Sequence, residues 1–355
     1  MITALRVRPL NLTLAKPVET ASGVMASTPL VLIDVTTTDG DVGSSYVRCY
    51  TPTALKPLAE LLSNLEPLLQ NEAPDAAAIE RKLQKHFRLV GVQGLTGIAI
   101  AGIDMALWDL AAKRAGKPLV EHLGGTLAPV PAYASLRTMS PQPAAQEAAE
   151  HISNGFSAIK VKIGRADLAA DLEVVRAVRS AIGERAKLMV DYNQILSVDD
   201  AIERARALDN EGLYWIEEPT LAEDFAGHAR IAQAAQTPIQ LGENWWGPID
   251  VEKSVAAHAS DHLMFDVMKL GGVSGWLQAA TIAQHANLPV SSHTFPEFSA
   301  HLLRLTPTAH FLEYLDHAGP VLREPIRIEG GMATPNTRPG AGIAWNEDVV
   351  SRYGV

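Results

Sequence analysis

Three acidic residues recur at a constant interval in the second half of the chain. They are Asp191 in LMVDYNQ, Glu217 in LYWIEEPT and Glu243 in IQLGENWW, and each follows the one before by 26 positions (217 − 191 and 243 − 217). Each acid closes a short apolar run with the pattern of a β-strand, and a helical pattern follows it. An interval of this length fits one strand, one helix and two loops, which is the repeating unit of a β/α barrel.

This spacing predicts a metal site. In a parallel barrel the carboxyl ends of successive strands meet at one mouth, so the three acids should converge there. Carboxylates at one point repel one another unless a cation lies between them, and all-oxygen ligands suit Mg²⁺, with Mn²⁺ as a substitute. The alternative is three unrelated surface acids at loop starts, and their common place in the repeat favours the metal site.

Two lysines lie on a strand that precedes this set. The run AIKVKIG over residues 158–164 alternates, so Lys160 and Lys162 share one face and the apolar residues share the other. A solvated lysine pair is the alternative, but the apolar face should pack on helices, which directs both lysines into the barrel. Proximity to each other and to a metal should lower a lysine pKa and make that lysine a base near neutral pH.

Later strand ends carry further polar residues. Asp266 ends HLMFD and His293 ends PVSSH, and neighbouring strand ends can form a dyad in which the acid orients the imidazole. Because the chain has 11 histidines, a structural role for His293 is the alternative. Glu313 in HFLEYL has apolar neighbours, which predicts either an acid with a raised pKa or a salt-bridged strand end. Asn193 either hydrogen-bonds a substrate hydroxyl or serves as a turn residue.

These residue types predict proton transfer at a carbon next to a carboxylate. A Mg²⁺ ion held by three acids keeps positions open for a substrate carboxylate and hydroxyl, and it stabilises the dianion formed when the α-proton leaves. With Lys162 on one side of that carbon and His293 on the other, the proton can be removed and returned on opposite faces, which is racemisation. If the β-carbon carried a leaving group, the same residues would expel it, with His293 as the acid.

The elements that must position these residues repeat eight times. Strand patterns lie near residues 130–135, 157–163, 187–192, 213–217, 238–242, 262–267, 288–292 and 309–314. Helical patterns lie between them, for example over residues 168–182, 198–211 and 275–286. The pattern predicts a closed parallel barrel over residues 128–318. An open doubly wound sheet is the weaker alternative, since no Gly-rich phosphate motif opens a helix.

The chain before and after the barrel has a different pattern. Residues 1–127 combine strand patterns with later helical ones, which predicts an α+β domain. Within it, residues 16–28 (KPVETASGVMAST) are small or turn-forming, which suits either a plain loop or a mobile flap over a site. The Gly- and Pro-rich residues 319–355 should pack back on the first domain.

Composition excludes some classes of function. The chain is 47% apolar and 20% charged, as in a globular protein, and its net charge of −10 argues against nucleic acid or an anionic membrane as partner. Cys49 is the only cysteine, so no intrachain disulfide can form. We find no signal-peptide pattern and no apolar stretch of membrane-spanning length. A soluble cytoplasmic protein that binds a small-molecule carboxylate is expected.

Motifs over nearly the whole chain resemble the mandelate racemase subgroup of the enolase superfamily. They are TPLVLIDV, YTPTALK, AGIDMALWD, the KVK strand, MVDYNQ, WIEEPT, GENWWGP, MKLGGVSGW, SSHTFPE, SAHLL and TPTAHFLEYLD. The resemblance implies a modified TIM barrel, (β/α)7β, with an α+β N-terminal capping domain that the C-terminal tail completes. It also implies a homo-oligomer, an octamer.

The resemblance also implies a role for individual residues. It makes Asp191, Glu217 and Glu243 the Mg²⁺ ligands. Lys162 becomes the base for the S enantiomer, and His293, supported by Asp266, the base for the R enantiomer. Lys160 would contact and neutralise the substrate carboxylate, and Glu313 would donate a hydrogen bond to it. Ser135 would also contact the carboxylate, and Asn193 the α-hydroxyl.

Departures from the subgroup fall on the side that faces the substrate. Positions that are small and apolar or aromatic in the subgroup are Ser22, Met25 and Arg48 here, whereas Val18 and Tyr50 keep the pattern. Tyr46, Arg48 and Tyr50 share one strand face by alternation, so Arg48 is expected to point towards the pocket. Ser22 and Arg48 both favour a substrate more polar than mandelate. Relatives with a catalytic lysine near Lys269 lack the His–Asp pair, so Lys269 is interpreted as a supporting residue.

Three hypotheses follow. The first is an isomerase, a Mg²⁺-dependent racemase of mandelate or a similar 2-hydroxy acid, because two bases face one carbon. The second is a dehydratase of a polyhydroxy (sugar) acid that uses the same site, and Ser22 and Arg48 motivate it. The third, a non-catalytic barrel that binds or scaffolds, is disfavoured by the complete set of ligands and bases.

Overall fold

The N-terminal part is an antiparallel sheet covered by helices. The computed structural model describes residues 1–21 and 23–355. The sheet has the order β1-β2-β3, with strands β1 (Ile2–Thr20), β2 (Gly23–Thr37) and β3 (Val42–Arg48). The helices are α1 (Leu55–Asn64), α2 (Glu66–Leu69), α3 (Ala76–His86), α4 (Gly94–Arg114) and α5 (Leu119–His122).

Helix α4 is the core helix of this part. Within the described residues, α4 alone is long and apolar enough to cross a membrane, so the expectation that no stretch reaches that length was wrong. The helix is nevertheless 78% buried over its apolar window, because it packs on β2, β3, α3 and α11. Gly102 permits a close contact with β2, since a Cβ there would lie 2.4 Å from Cδ1 of Ile33. The apolar surface of α4 is therefore used in packing.

Eight parallel strands form a closed barrel, because the last strand pairs with the first. The strands are β4 (Val130–Ser135), β5 (Ala158–Lys162), β6 (Lys187–Asp191), β7 (Trp215–Glu217), β8 (Ile239–Leu241), β9 (His262–Phe265), β10 (Val290–Ser292) and β11 (Ala309–Tyr314). The helices between them are α6 (Pro141–Ser153), α7 (Leu168–Ile182), α8 (Val198–Leu208), α9 (Phe225–Ala234), α10 (Pro248–Ala257), α11 (Gly272–Ala286) and α12 (Pro296–Leu303). The predicted (β/α)7β barrel is confirmed, and the open doubly wound sheet is excluded.

The barrel interior has an aromatic lower layer and a charged upper layer. The lower layer is a cluster of buried residues: Tyr133, Ala158, Met189, Trp215, Met264 and Phe311. Two positions further along the chain, on the same face by alternation, lie the polar residues Ser135, Lys160, Asp191, Glu217, Asp266 and Glu313. The apolar layer closes the bottom of the barrel, so the polar groups above it are held at the mouth.

Residues 16–21 and 23–28 belong to a β-hairpin rather than to a plain loop. β1 and β2 continue into this segment, where Val18 pairs with Met25 and Thr20 pairs with Gly23. The register shifts between Thr13 and Val18, which breaks the simple alternation that identifies a strand in the sequence. Thr20 and Gly23 of the hairpin lie at the barrel mouth, while the mobility of the segment remains a prediction.

The C-terminal tail contacts both the sheet and the barrel. Strands β12 (Arg327–Glu329) and β13 (Met332–Thr334) form a hairpin, and β13 pairs antiparallel with β4. Beyond it, Nε1 of Trp345 donates to Oδ1 of Asp34 at 2.7 Å, and helix α13 (Glu347–Tyr353) packs on β1. The tail thus packs back on the N-terminal sheet, whereas the division of the chain at residues 127 and 318 stays a prediction.

Candidate active site

One cavity of about 350 Å³ lies between the barrel mouth and the N-terminal sheet. Barrel residues that line it are Lys160, Lys162, Asp191, Asn193, Gln194, Glu243, Asn244, His293, Glu313, Leu315 and His317. Residues of the N-terminal part that line it are Thr20, Gly23, Val24, Met25, Arg48 and Tyr50. The cavity therefore has two walls, a barrel wall formed by the first set and a cap wall formed by the second.

The three acids converge on the barrel wall. Asp191, Glu217 and Glu243 each place one carboxylate oxygen within 4.8 Å of the others, and Glu217 is fully buried. Burial raises the pKa of Asp191, and it raises the pKa of Glu217 to about 8. The charge of Lys160 lowers both pKa values, whereas the neighbouring acids raise them further. Buried carboxylates that disfavour one another's charge fit a divalent cation with oxygen ligands. The cluster is compatible with a Mg²⁺ site.

Glu243 reaches this cluster through a special backbone position. It follows β8, and simple alternation would place it on the outward face with Leu241. Gly242 between them has φ +134°, and a Cβ there would lie 2.4 Å from the carbonyl oxygen of Met264. Because only glycine accepts that conformation and that approach, Gly242 redirects the chain and brings Glu243 inward.

Lys160 lies among acids. Its Nζ donates to Oε1 of Glu217 in a short ion pair, and it is 2.8 Å from Oε1 of Glu313 and 3.6 Å from Oδ2 of Asp191. Burial by itself would lower the Lys160 pKa, but the charges of Glu217 and Glu313 raise that pKa well above its usual range. The expectation of a lowered lysine pKa therefore fails for Lys160, which remains a cation.

Lys162 has a different environment on the same strand face. Its Nζ donates to Oγ of Ser135 and to the carbonyl oxygen of Leu136, both at 3.3 Å, and the structure gives it no carboxylate within 4.0 Å among the described residues. Burial and the charge of Lys160 lower the pKa of Lys162. Lys162 is thus the lysine suited to act as a base, and Ser135 orients its amine.

Asp266 and His293 form the expected dyad. Nδ1 of His293 lies 2.6 Å from Oδ2 of Asp266, and backbone amides of Met268 and Lys269 donate to the other Asp266 oxygen. Nε2 of His293 is 3.6 Å from Glu243. Burial opposes protonation of His293, but Glu243, Asp266 and Glu313 outweigh it and raise the His293 pKa. His293 is therefore suited to give a proton near neutral pH.

Of the two alternatives for Glu313, the raised pKa was wrong and the salt-bridged strand end is confirmed, since Lys160 lies 2.8 Å from it. Burial does raise the Glu313 pKa, but the positive charge of Lys160, with those of His293 and Lys162 when they are protonated, lowers the pKa of this carboxyl to about 2. Glu313 is a carboxylate that accepts hydrogen bonds, so it cannot donate a proton to a substrate carboxylate in this state.

Asn193 serves as a turn residue and also lines the cavity. It has φ 45°, its backbone N–H donates to Oδ1 of Asp191, and its Nδ2 donates to Oδ2 of Asp191 at 2.9 Å. Its side-chain oxygen is buried and has no hydrogen-bond partner in residues 1–21 and 23–355. Asn193 can therefore be a turn residue and also hydrogen-bond a substrate hydroxyl, so its two predicted roles are compatible.

The cap wall carries three of the expected residues. Arg48, Tyr50 and Met25 line the cavity, and the Tyr50 hydroxyl donates to Oδ2 of Asp266 at 3.4 Å. Val18 is fully buried and is not among the lining residues, and Ser22 lies outside the described residues. Tyr46 shares the strand face of Arg48 but donates to Glu297 at 2.6 Å.

Some residues of the site were missed from the sequence. His317, three positions beyond the end of β11, lies 3.0 Å from Nη1 of Arg48. Asn244 accepts a short hydrogen bond from Nζ of Lys269 and donates to Glu218 at 2.7 Å, which agrees with a supporting role for Lys269. Loop residues follow no alternation, so only the adjacency of Asn244 to Glu243 could have indicated one of them.

Two family models match the chain. Residues 1–124 match the N-terminal domain of mandelate racemase/muconate lactonizing enzyme. Residues 143–349 match the enolase C-terminal domain-like model.

Solved structures resemble the chain over its full length. An enolase from Bradyrhizobium, complexed with magnesium and mandelic acid, is 44% identical, has a TM-score of 0.95 and covers 100% of this chain and 98% of that one. L-Talarate dehydratase from Polaromonas, complexed with Mg and L-glucarate, is 31% identical, with a TM-score of 0.92 and coverage of 100% and 97%. Among curated proteins, the L-talarate/galactarate dehydratase of Salmonella typhimurium is 31% identical over 323 residues, 90% of this chain and 81% of that protein.

Proposed function

Because the chain belongs to the mandelate racemase/muconate lactonizing enzyme family of the enolase superfamily, we propose that it is a Mg²⁺-dependent dehydratase of a polyhydroxy (sugar) acid. The observation that carries the proposal is the polar lining beyond the acid–base groups, where Arg48, Asn193, Asn244 and His317 face one cavity. A substrate with several hydroxyls offers partners to these groups, whereas a phenyl ring would leave them unpaired.

The acid–base groups support elimination. Lys162, in the neutral form that its lowered pKa favours, takes the proton from C2 of the acid, and the electron pair spreads into the carboxylate. The pair then forms the C2–C3 double bond as the C3–O bond breaks. His293 gives its proton to the departing hydroxyl, which leaves as water. The enol loses the proton of its C2 hydroxyl, takes up a proton at C3 and becomes a 2-keto-3-deoxy acid.

Asp191, Glu217 and Glu243 would hold the metal in this scheme. When bound, Mg²⁺ supplies positive charge that stabilises the enolate form of the carboxylate. Lys160 adds a fixed cation beside these acids, and Asp266 holds the His293 imidazole in one orientation. These roles are part of the proposal.

A racemase of a 2-hydroxy acid is the second candidate. Lys162 and His293 line one cavity, as two-base racemisation requires, and the relative from Bradyrhizobium has mandelic acid bound. It ranks second because L-talarate and galactarate dehydratases are among the relatives and because the cap wall carries a guanidinium.

A substrate screen tests the proposal. The purified protein with MgCl₂ is incubated with aldonic and aldaric acids of all configurations and with mandelate and lactate, and 2-keto acids are detected as semicarbazones. We expect a 2-keto product from at least one polyhydroxy acid and none with Lys162→Ala. Change of optical rotation for mandelate, with no 2-keto acid from any substrate, would favour the racemase.

A further inference from the structure

Arg48 is a buried cation without an anionic partner. The residue is 5% exposed, and within the described part of the chain no carboxylate lies within 4.0 Å of its guanidinium. Its contacts are Nε2 of His317, 3.0 Å from Nη1, and the sulfur of Met25, 3.2 Å from Nη2. The guanidinium also lies 4.6 Å from the ring centre of Tyr50, and its Nε has no hydrogen-bond partner among the described residues.

None of these neighbours supplies a negative charge. Burial and the charge of Arg48 lower the His317 pKa well below its usual value, so His317 is neutral and accepts from Arg48. Its other nitrogen lies 3.3 Å from the Thr28 hydroxyl. A second cation, Nζ of Lys269, is 4.6 Å from the same Tyr50 ring. Burying a charge without a counter-ion is unfavourable, and arginine remains protonated in proteins.

The cavity is the direction from which a counter-ion can come. Arg48 lines it together with Lys162, His293 and Glu243, although it comes from β3 on the cap wall and they come from barrel strand ends. A ligand whose reacting carboxylate lies at the barrel wall therefore extends towards Arg48.

We propose that Arg48 binds a second carboxylate of the substrate, at the end of the chain remote from the reacting carbon. This inference rests on the proposed dehydratase function and narrows the substrate to a dicarboxylic sugar acid, an aldarate. Nη1 is engaged by His317, which leaves Nε and Nη2 on one edge of the guanidinium. A carboxylate that displaces the flexible Met25 side chain meets both donors of that edge, which is the bidentate geometry arginine favours.

A phosphate at the end of an aldonate would carry the same kind of charge. A single guanidinium with a neutral histidine offers one charge and one free edge, which matches a carboxylate better than a dianion with three oxygens. The experiment below includes phosphorylated acids so that the two sources are distinguished.

The test compares acids that differ only at the far end. Each aldaric acid is paired with the aldonic acid of the same configuration, and with that aldonate phosphorylated at its last carbon, and kcat/KM for dehydration is measured with MgCl₂. We expect wild type to prefer the aldarate by roughly tenfold to hundredfold, the range for a hydrogen-bonded charge. In Arg48→Met the aldarate/aldonate ratio should fall by a similar factor, and Arg48→Lys should keep part of it.

Arg176→Met is the matched control, because Arg176 pairs with Glu211 on the exposed side of α7. The aldarate/aldonate ratio of kcat/KM for Arg176→Met should equal that of wild type. Dehydration of aldonates with equal or better efficiency than aldarates, or a ratio unchanged in Arg48→Met, would overturn the inference and leave the dehydratase in place. So would a preference for the phosphorylated acid. If no sugar acid is dehydrated, the proposed function fails and the inference with it. The comparison of aldarates with aldonates in the wild-type protein tests the inference even if the Arg48 variants do not fold.

Discussion

The barrel wall and the cap wall of the cavity bury charge in opposite ways. On the barrel wall, acids and cations lie in mutual contact, so that Lys160 alone contacts two carboxylates within 2.8 Å. On the cap wall, Arg48 is buried beside a neutral histidine and a thioether. The ion pairs of the barrel wall balance most of its buried charge, but the three acids still need a cation between them. The cap wall requires an anion from outside.

This difference separates chemistry from selection. Groups that move a proton must be held in place, and contacts on rigid strand ends hold them here. Asp266 orients His293, and Ser135 and Leu136 accept from Lys162. Groups that choose a substrate must gain their partner only when it binds. Changes on the barrel wall should therefore abolish the reaction, whereas changes on the cap wall should redirect it.

Removal of the metal should have the largest effect. With EDTA present, exchange of the α-proton of any substrate should fall below detection, because three buried carboxylates would face the enolate without a cation. Excess MgCl₂ should restore it. Exchange that continues at the same rate in metal-free protein, verified by elemental analysis, would contradict the role of the three acids.

Substitution of the base should have the next largest effect. Lys162→Ala should lower kcat/KM by about 10²–10⁴-fold, the contribution of a positioned general base. The assay is α-proton exchange in D₂O followed by ¹H NMR. Lys253→Ala serves as control, because Lys253 is half exposed and pairs with Asp250. Loss of no more than threefold in Lys162→Ala would assign the base to another residue.

The pH profile should follow the two shifted groups. Lys162 acts when neutral, so activity should rise with pH through its lowered pKa; His293 acts when protonated, so activity should fall through its raised pKa. A bell shape results, with up to tenfold change per pH unit on each limb. The dependence of kcat/KM on pH measures it. A profile that is constant from pH 5 to 10 would remove both groups from the reaction.

The smallest effect is expected where the two walls touch. Tyr50→Phe removes a long hydrogen bond to Asp266, 3.4 Å, so kcat should fall by about fivefold or less. The same kinetic assay with Asp266→Asn gives the comparison, since loss of the short bond to His293 should cost far more. Equal losses would mean that the cap wall participates in proton transfer.

Strand-end residues were predictable because alternation and a constant interval are local properties. Asp191 and Glu217 close strands, Lys162 shares a face with Lys160, and all four reach one mouth once the barrel closes. Glu243 was found from the interval, although its inward direction depends on Gly242. The metal cluster needed no knowledge of distant contacts.

The other features depend on contacts between distant parts of the chain. The prediction of a raised Glu313 pKa was wrong because the charges that lower this pKa, on Lys160 and His293, come from other strands. The pairing of Arg48 with His317 joins positions 269 residues apart, so no local pattern could indicate it. The hairpin over residues 16–28 was missed because its register shift hides the alternation. The octamer and the cytoplasmic location remain predictions, and light scattering after size-exclusion chromatography would measure the former.

The central claim is that the enzyme is a dehydratase. The most direct test is whether the intermediate loses its C3 hydroxyl or takes a proton back at C2. The best substrate of the screen is incubated in D₂O with MgCl₂, and ¹H NMR follows product formation and deuterium at C2 of recovered substrate. We predict a 2-keto-3-deoxy acid that carries deuterium at C3, formed by wild type and not by Lys162→Ala. Deuterium at C2 with inversion of configuration, and no keto product, would contradict a dehydratase.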